Sequence, residues 1–334
     1  LLLNNDTTVT EGWLGPLLEL FKKPDVGVVG PKLLFPNGKL QEAGGIVWND
    51  ASGWNYGRAD DPALPQYNYV RETDYVSGAA LMIRHSLWQD LEGFDETFAP
   101  AYYEDTDLCF SVRAAGLKVV YQPASEVVHY EGMTNGTDLG SGQKQYQVVN
   151  QQNFLKKWQD ELTRFHFPNA EQVSQARDRS RDKRSVLIID HYVPHYDKDA
   201  GSRSTWMYIE LMLEMGWRVQ FIGANFFPHQ PYTEKLQQMG VEVLVGERMA
   251  RNLDRWLLEN LRYVDHIFLH RPHVAEQFLP HLKKQKICPP ISFVGHDLHY
   301  LRTRREYEIS GDPDALKASE KWLEREKAVI TATD

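Results

Sequence analysis

The stretch Ser185-Val-Leu-Ile-Ile-Asp190-His191 is an apolar run that ends on an acid, and Asp197-Lys-Asp-Ala-Gly-Ser202 follows it. This pattern predicts a buried strand, a glycine-containing loop and a helix that begins near Ser202. The alternation continues, with predicted strands at 186–190, 218–222, 241–245, 266–270, 291–294 and 328–331, and predicted helices at 202–215, 231–239, 252–262, 272–283 and 314–327. Alternating strands and helices are typical of a doubly wound parallel sheet. We therefore predict an α/β, Rossmann-like parallel-sheet domain over residues 185–334.

The residues upstream of this domain have a different pattern. Short apolar segments predict strands, and turn signals such as Asn37-Gly38 and a polar loop at 49–68 lie between them. The predicted strands are 26–30, 33–35, 73–76, 79–84 and 118–121. This mixture predicts a mixed-sheet domain over residues 1–165. The mixed-charge run from Arg177 to Arg184 has no apolar periodicity, so we predict a linker at 166–184.

The composition is that of a globular protein of about two domains. Of the 334 residues, 42% are hydrophobic and 25% are charged, which excludes a disordered chain. The net charge of -9 argues against nucleic acid as the main partner. Cys109 and Cys288 show no zinc or disulfide spacing, which favours a reducing cytoplasm. No apolar run reaches membrane-spanning length, and attachment to the inner face of the membrane is left open.

The chain opens without a methionine, on the apolar run Leu1-Leu2-Leu3. This run predicts the end of a buried strand, and we expect the natural N-terminus to lie upstream. Asn4-Asn5-Asp6 follows and places an acid where a strand gives way to a loop, the usual position of ligands in open α/β sheets. The same triplet is common turn chemistry, so both interpretations stay open at this point.

Two further polar features follow in the first domain. Glu104-Asp105-Thr-Asp107 forms the first turn of a predicted helix that ends at Gly116. Carboxylates in this turn either bind a ligand, or accept hydrogen bonds from the free amides and are stabilised by the positive end of the helix dipole. Val127-Val-His129 is a short strand-like run that ends in a histidine, a residue that alone is usually structural. Neither feature assigns a function by itself.

The order of these features resembles that of a known family. Asp6, then Ser77-Gly-Ala-Ala80, then the acidic helix and then His129 are similar to family-2 glycosyltransferases of the GT-A fold, especially the rhamnosyltransferase-like members of bacterial surface-polysaccharide assembly. The resemblance covers residues 1–158 and is most specific between Asp74 and His129. Family members begin with a nucleotide-binding half. The resemblance therefore implies that this chain holds the C-terminal part of a GT-A domain.

The resemblance also implies roles for individual residues. In the family a DxD-type motif binds a divalent cation, Mn²⁺ or Mg²⁺, and here Asp6 matches its last acid while Asn4 replaces its first. His129 matches a histidine of the metal shell, and Asp105, with Glu104 beside it, matches the catalytic base. Contacts to donor or acceptor are implied for Asn5, Gly78, Ala79, Asp107 and Arg113. Gly78 and Ala79 fit a tight strand entry equally well.

The chemistry agrees with these roles. Displacement of a nucleoside diphosphate builds negative charge on the leaving oxygen, which a hard cation neutralises. The attacking hydroxyl must lose a proton, which a carboxylate within hydrogen-bond reach can take. A single base with in-line attack implies an inverting transfer.

The second domain is similar to the N-terminal, acceptor-side domain of GT-B, family-4-like glycosyltransferases. The matching features are the Asp-Ala-Gly-Ser-Arg-Ser loop at 199–204 and the segment 297–308. The domain lacks the GxGxxG and P-loop motifs, and we assign it no complete catalytic site. A metal site at His296, Asp297 and His299, or at His270 and His273, matches no zinc template. The arginines at 302, 304 and 305 predict either acceptor contacts or a solvated basic helix face.

Three hypotheses follow for the function. The leading one is a cytoplasmic glycosyltransferase that moves a sugar from a nucleotide-diphosphate donor to a glycan or lipid-linked glycan acceptor in O-antigen-like polysaccharide synthesis. The second is a catalytically silent saccharide-binding fragment, in which aromatic rings stack on sugars. Those rings would be Trp48, Trp54, Tyr56, Tyr102 and Tyr103. The third is a metal-dependent hydrolase of activated sugars, in which Asp105 activates water.

Overall fold

The computed structural model describes residues 1–130 and 145–333. The chain divides into two compact units, Leu1–Asp182 and Lys183–Asp334. This boundary lies near the end of the stretch predicted as a linker at 166–184.

Much of that stretch packs into the first unit. Asp178 is buried and accepts a hydrogen bond from Tyr69 Oη at 3.0 Å. The Arg177 carbonyl accepts one from Arg71 Nε at 3.2 Å, and the Arg177 side chain is also buried. A stretch of mixed charge without apolar periodicity is typical of a linker in sequence. Here, however, the charged residues Arg177 and Asp178 make buried polar contacts.

The first unit is a mixed sheet with helices. Its described strands are β1 (Leu2–Leu3), β2 (Thr7–Val9), β3 (Val26–Leu34), β4 (Leu40–Glu42), β5 (Gly45–Val47), β6 (Gly53–Asn55), β7 (Arg71–Glu72), β8 (Ala80–Ile83) and β9 (Lys118–His129). Its described helices are α1 (Leu14–Leu20), α2 (His85–Asp90), α3 (Glu104–Ala114), α4 (Gln145–Lys157), α5 (Gln159–Phe165) and α6 (Val173–Ala176). Among these residues the main sheet has the order β1-β8-β3-β9-β2, with β4 added to β3 and β7 to β9. β5 and β6 form a separate hairpin.

The long strand β9 organises this sheet. It pairs in parallel with β3, and it pairs antiparallel with β2 and β7. Its apolar residues Val119, Val127 and Tyr121 are fully or almost fully buried, so both ends of the strand are fixed by packing. The mixed sheet predicted for the first domain is thus confirmed.

Four details of this sheet differ from the prediction. β3 is continuous through Pro31, because a register shift next to this residue absorbs the missing amide donor. The strand predicted at 118–121 continues to His129, and the strand predicted at 73–76 is replaced by β7 just upstream. The opening leucines are not a buried strand in this structure, since Leu1 and Leu3 are exposed and β1 pairs antiparallel with β8.

The second unit is the predicted parallel sheet. Its strands are β10 (Ser185–Asp190), β11 (Arg218–Gly223), β12 (Glu242–Val243), β13 (His266–His270) and β14 (Ile291–Val294). Its helices are α7 (Ala200–Glu214), α8 (Tyr232–Met239), α9 (Glu247–Arg251), α10 (Leu253–Asn260), α11 (Pro272–Lys283), α12 (His299–Ser310) and α13 (Pro313–Ala332). Among the described residues the strand order is β12-β11-β10-β13-β14, with every pair parallel.

The apolar run that predicted this unit is buried on both faces of its sheet. Val186 and Ile188 belong to one core cluster, while Leu187 and Ile189 belong to the other. Helices cover both faces of a parallel sheet, so its central strands are continuously apolar rather than alternating.

The strand predicted at 328–331 is wrong, because α13 continues to Ala332. The β-branched residues there favour a strand locally. However, Ser319, Glu326 and Val329 are buried at helical spacing, and the packing of this face outweighs the local preference. In the described part of the chain, every helix is too short or too polar to cross a bilayer.

Candidate functional site

Asp6 and His129 meet at one end of the first unit's sheet. The antiparallel register of β2 and β9 pairs Thr7 with His129, and the Tyr130 amide donates to the Asp6 carbonyl at 2.9 Å. This backbone arrangement brings His129 Nε2 to 3.3 Å from Asp6 Oδ1. Both side chains are about seven-eighths buried, with 13% and 14% of their surfaces exposed.

This pair suits a divalent cation. Two ligands that each lie about 2.1 Å from one ion are about 3.0–3.4 Å apart, and the separation of the Asp6 and His129 atoms is 3.3 Å. A carboxylate oxygen and an imidazole nitrogen are both suitable donors. Two protein ligands leave positions for water and phosphate oxygens, as is usual for cations that bind a substrate diphosphate.

The turn that carries Asp6 is fixed against the start of β8. The Asn4 amide donates to the Ala79 carbonyl at 2.9 Å, and Thr7 Oγ1 donates to the Asn4 carbonyl at 2.7 Å. Asn5 lies exposed at the tip of the turn. The structure thus brings Asn4 and Ala79 together next to the Asp6–His129 pair.

Asp105 contacts the same strand entry through Gly78, next to Ala79 in the chain. Its Oδ2 accepts a hydrogen bond from the Gly78 amide at 2.8 Å, and its Oδ1 accepts one from the Thr106 amide at 2.6 Å. A Cβ on Gly78 would lie 3.3 Å from the Asp105 Cβ, so a side chain there would crowd the carboxylate. A small residue at 78 therefore allows the backbone to hold Asp105 directly.

Glu104 and Asp105 form a partly buried acidic pair. Burial, together with the charge of Asp105, raises the pKa of Glu104 to about 7. Burial also raises the pKa of Asp105, although its hydrogen bonds to Gly78 and Thr106 act in the opposite direction. Glu104 Oε2 is buried and has no hydrogen-bond partner in the described part of the chain. A carboxylate with a raised pKa is a stronger base near neutral pH, so the pair is suited to accept a proton.

Two features near the acidic pair were missed by the sequence analysis. Tyr102 and Tyr103 both adopt positive φ values, 73° and 72°, which are costly for residues with large side chains. Such strain is concentrated at functional sites, but no pattern in the sequence indicates it. Glu42 of β4 is buried and accepts a hydrogen bond from the Ser77 amide at 3.1 Å. Its distance from Ser77 in sequence concealed this contact.

Asp107 and Arg113 are not brought together with Asp105. Asp107 accepts hydrogen bonds from Lys157 Nζ at 2.8 Å and from Trp158 Nε1 at 2.7 Å. Arg113 lies about 12 Å from Asp105 along the axis of α3, where it pairs with Asp74 and Glu161. Burial lowers the pKa of Arg113 to about 10. Both residues serve contacts that join α3 to other parts of the first unit.

The aromatic residues of the saccharide-binding hypothesis are only partly available. Trp48 is completely buried and packs edge-on against Trp54, so it cannot stack on a sugar. Tyr103 Oη donates to the Ala51 carbonyl at 2.8 Å and its ring packs against Phe154. Trp54 is 38% exposed.

In the second unit, the two sets considered in the sequence and not assigned as metal sites do not come together as sets, because Asp297, His299 and His273 have other partners. Asp297 pairs with Arg302 at 3.0 Å, and His299 Nδ1 lies 3.2 Å from Glu326 Oε1. The N-cap of α7 is Asp199, which accepts from the Ser202 amide at 2.8 Å, so the helix begins at Ala200, two residues before the predicted start. Arg304 pairs with Glu308 one turn further along α12, as on a solvated basic face.

A mixed sheet that carries an Asp–His pair at one end and an acidic pair at the start of a neighbouring helix is consistent with a GT-A glycosyltransferase domain. Residues 1–146 match the family model described as glycosyltransferase-like family 2. The first unit therefore contains a family-2 glycosyltransferase domain. The assignment of residues 185–334 to a GT-B, family-4-like domain stays a prediction.

Curated relatives agree with this family. The chain is 32% identical over 144 residues to the O-antigen biosynthesis protein RfbC of Myxococcus xanthus, an alignment that covers 41% of this chain and 11% of the relative. It is 30% identical over 133 residues to the N-acetylglucosaminyl-diphospho-decaprenol L-rhamnosyltransferase of Mycobacterium tuberculosis, covering 39% of this chain and 41% of the relative. It is 33% identical over 129 residues to the pre-mycofactocin glycosyltransferase of the same species, covering 38% and 26%. The chain thus spans less than half the length of each of these relatives.

Proposed function

We propose that the first unit transfers a sugar from a nucleotide-diphosphate donor to a glycan acceptor in the synthesis of an O-antigen-like surface polysaccharide. One observation carries this proposal, namely that the acidic pair and the turn of Asp6 contact the same strand entry. The Gly78 amide donates to Asp105, and the next residue, Ala79, accepts from the Asn4 amide, two residues before Asp6. The family match and the relatives support the class of reaction.

In this proposal Asp6 and His129 hold the divalent cation, Mn²⁺ or Mg²⁺, since their donor atoms and their separation fit one. The cation, when bound, supplies positive charge for the departing diphosphate. Asn5 and Ala79 are proposed to contact donor or acceptor, because they lie at the turn and strand entry beside this pair. Asp107 and Arg113 are proposed to act indirectly, through the position of α3.

Asp105 is proposed to be the catalytic base, with Glu104 as its partner. As the acceptor oxygen forms its bond to the anomeric carbon, the bond from that carbon to the diphosphate oxygen breaks, and the acceptor proton passes to the Asp105 carboxylate. The raised pKa of both acids favours this transfer near neutral pH. One displacement without a second nucleophile inverts the anomeric configuration.

The proposed donor and acceptor also indicate where in the cell the reaction takes place. Nucleotide sugars are reactants of the cytoplasm, so we place the reaction there, with an acceptor that is either a free glycan or a lipid-linked glycan at the inner face of the membrane.

The test measures sugar transfer by the longest natural protein that contains this chain, with a panel of UDP- and dTDP-sugars and with polysaccharide or lipid-linked acceptors. Asp105→Asn is expected to lower turnover by about 100-fold or more, while Asp90→Asn, which removes an exposed acid of the same unit, leaves it unchanged. NMR of the product is expected to show inversion. Full transfer by Asp105→Asn contradicts the assignment of the base, and nucleotide release without any acceptor product favours the hydrolase hypothesis.

A further inference from the structure

Three side chains converge at the carboxyl edge of the second unit's sheet. Asp190 ends β10, His270 ends β13 and His296 follows β14. His270 Nδ1 lies 2.7 Å from His296 Nε2 and 3.9 Å from Asp190 Oδ2. One carboxylate oxygen and two imidazole nitrogens therefore lie within 4.8 Å of one another. They are separated in sequence by 80 and 26 residues, so no local spacing motif could indicate the cluster.

A fourth polar atom completes the arrangement. The Thr205 hydroxyl of α7 lies 2.8 Å from Asp190 Oδ2, 3.2 Å from His270 Nδ1 and 3.4 Å from His296 Nε2. Ligands bound about 2.0–2.1 Å from a tetrahedral ion lie about 3.3 Å from one another. Five of the six separations among these atoms run from 2.7 to 3.9 Å, on both sides of that value, and the ligand atoms of Asp190 and His296 lie within 4.8 Å of each other. The four atoms are thus close enough together for one small cation to bind among them after local adjustment of the side chains.

The position in the fold supports a ligand site. Strands β11 and β12 extend the sheet from β10 in one direction, whereas β13 and β14 extend it in the other. Ligands of open α/β sheets bind where the order reverses, at the carboxyl ends of the strands. Asp190 and His270 lie at this point, on neighbouring strands.

The backbone of the cluster is strained. His296 has a φ of 57° and Arg271, next to His270, has a φ of 61°, both in the left-handed region. Side chains other than glycine occupy this region at a cost, and the cost is concentrated at functional sites. A Cβ on Gly201 would lie 2.8 Å from the Arg271 guanidinium, so glycine there makes room for Arg271.

We propose that Asp190, His270 and His296 form a binding site for a first-row divalent metal ion of the zinc class. Two imidazoles and one carboxylate are a common ligand set for such ions, and they leave a fourth position for Thr205, water or substrate. Asp190 and His270 are 1% and 0% exposed, whereas His296 is exposed, so the ion is reached from the His296 side.

A neighbouring arginine orients the carboxylate of the cluster. Arg271 Nε donates to Asp190 Oδ1 at 2.7 Å, which leaves Oδ2 directed at the histidines. Such outer contacts orient metal ligands.

The open side of the cluster faces a charged cavity. A cavity of about 390 Å³ is lined by His296 together with Asp297, Leu298, Leu301, Arg302 and Arg305. Arg302 is paired with Asp297 and Arg305 adds a second positive charge, so an anionic group bound beside these arginines would lie next to the side chain that completes the metal site. The site's ligand is therefore expected to carry a phosphate or a carboxylate.

The experiment titrates the full chain with Zn²⁺ alone, and with Co²⁺ as a spectroscopic probe. All variants carry His129→Ala, which removes one of the two proposed cation ligands of the first unit and weakens that site, so the two proposals fail independently. We expect one equivalent of tightly bound ion and the visible absorption of tetrahedral Co²⁺. Adding His296→Ala is expected to weaken binding by more than about 100-fold. The fold should survive, because His296 is exposed.

The matched control is His281→Ala, which removes a partly exposed histidine of α11 that pairs with Asp254. It is expected to leave the affinity for Zn²⁺ unchanged. Equal affinity in the His296→Ala and His281→Ala proteins overturns the proposal. Absence of a bound equivalent in the His129→Ala protein also overturns it, and the cluster is then a hydrogen-bonded polar network.

Discussion

Glu104 stands out at the scale of single residues, because its carboxyl group is harder to ionise in the folded protein than in the unfolded chain. Its pKa rises from 4.5 to about 7. Between these values the native state binds more protons than the unfolded state, so stability falls as pH increases. We expect the free energy of unfolding of the wild type, relative to Glu104→Gln, to fall by about 2–3 kcal/mol between pH 4.5 and pH 7.5. Urea titrations at both pH values measure this difference, and a constant difference contradicts the expected burial of the acidic pair.

His129 supports a second prediction at this scale. If His129 and Asp6 share an ion, His129→Ala removes one of two protein ligands. The affinity for Mn²⁺ is then expected to fall at least about tenfold. Titrations are made in a His296→Ala background, so the second unit does not contribute. His85→Ala, an exposed histidine of the same unit, is the control, and an equal affinity in both variants would leave His129 with a purely structural role.

At the scale of elements, one contact joins helix α3 to the junction of α4 and α5. Asp107 is buried and accepts from both Lys157 and Trp158. Asp107→Ala leaves the indole N–H and the ammonium without this partner, so we expect a loss of about 2–3 kcal/mol of stability. Asp95 binds the same lysine from a partly exposed position, and Asp95→Ala is expected to cost less than about 1 kcal/mol. Equal losses in chemical denaturation would show that burial of Asp107 does not matter.

The elements also show what the sequence could and could not predict. Strand β10 was predictable because all of its residues are buried beneath helices on both faces, which leaves a continuous apolar run. The end of α13 was not, because its β-branched residues are helical only through packing of Val329 and its neighbours. Asp6 and His129 were each singled out, but their contact depends on the register of β2 and β9, and no local pattern specifies a register.

The same limit explains why the cluster of Asp190, His270 and His296 could not be predicted from the sequence. Each residue lies at or just after the end of a correctly predicted strand, so the sequence indicated the edge of the sheet on which they lie. The order of the strands decides which ends are neighbours, and strand order is a property of the whole unit. Of the histidines considered from spacing, His270 and His296 belong to the cluster, whereas His273 and His299 have other partners.

At the scale of the whole molecule, the boundary of the first unit is testable. Asp74 is 3% exposed, and it contacts Arg113, His166 and Arg179. Burial opposes its ionisation, but these partners outweigh it and lower its pKa. A fragment of residues 1–182 is therefore expected to unfold cooperatively, whereas a fragment of residues 1–165 leaves the Asp74 charge without two partners.

Circular dichroism during thermal unfolding compares the two fragments. We expect the shorter fragment to lose several kcal/mol of stability or to lack a cooperative transition. Indistinguishable transitions would show that residues 166–182 are a linker after all.

The two partners of Asp74 that follow it in the chain also decide when the first unit can finish folding during translation. His166 and Arg179 follow Asp74 by 92 and 105 residues in the chain. During translation, the nascent first unit already contains its sheet, its acidic pair and Arg113 while this carboxylate still lacks its two later partners. Its folding can be completed only after the ribosome has released Arg179, immediately before the first strand of the second unit emerges.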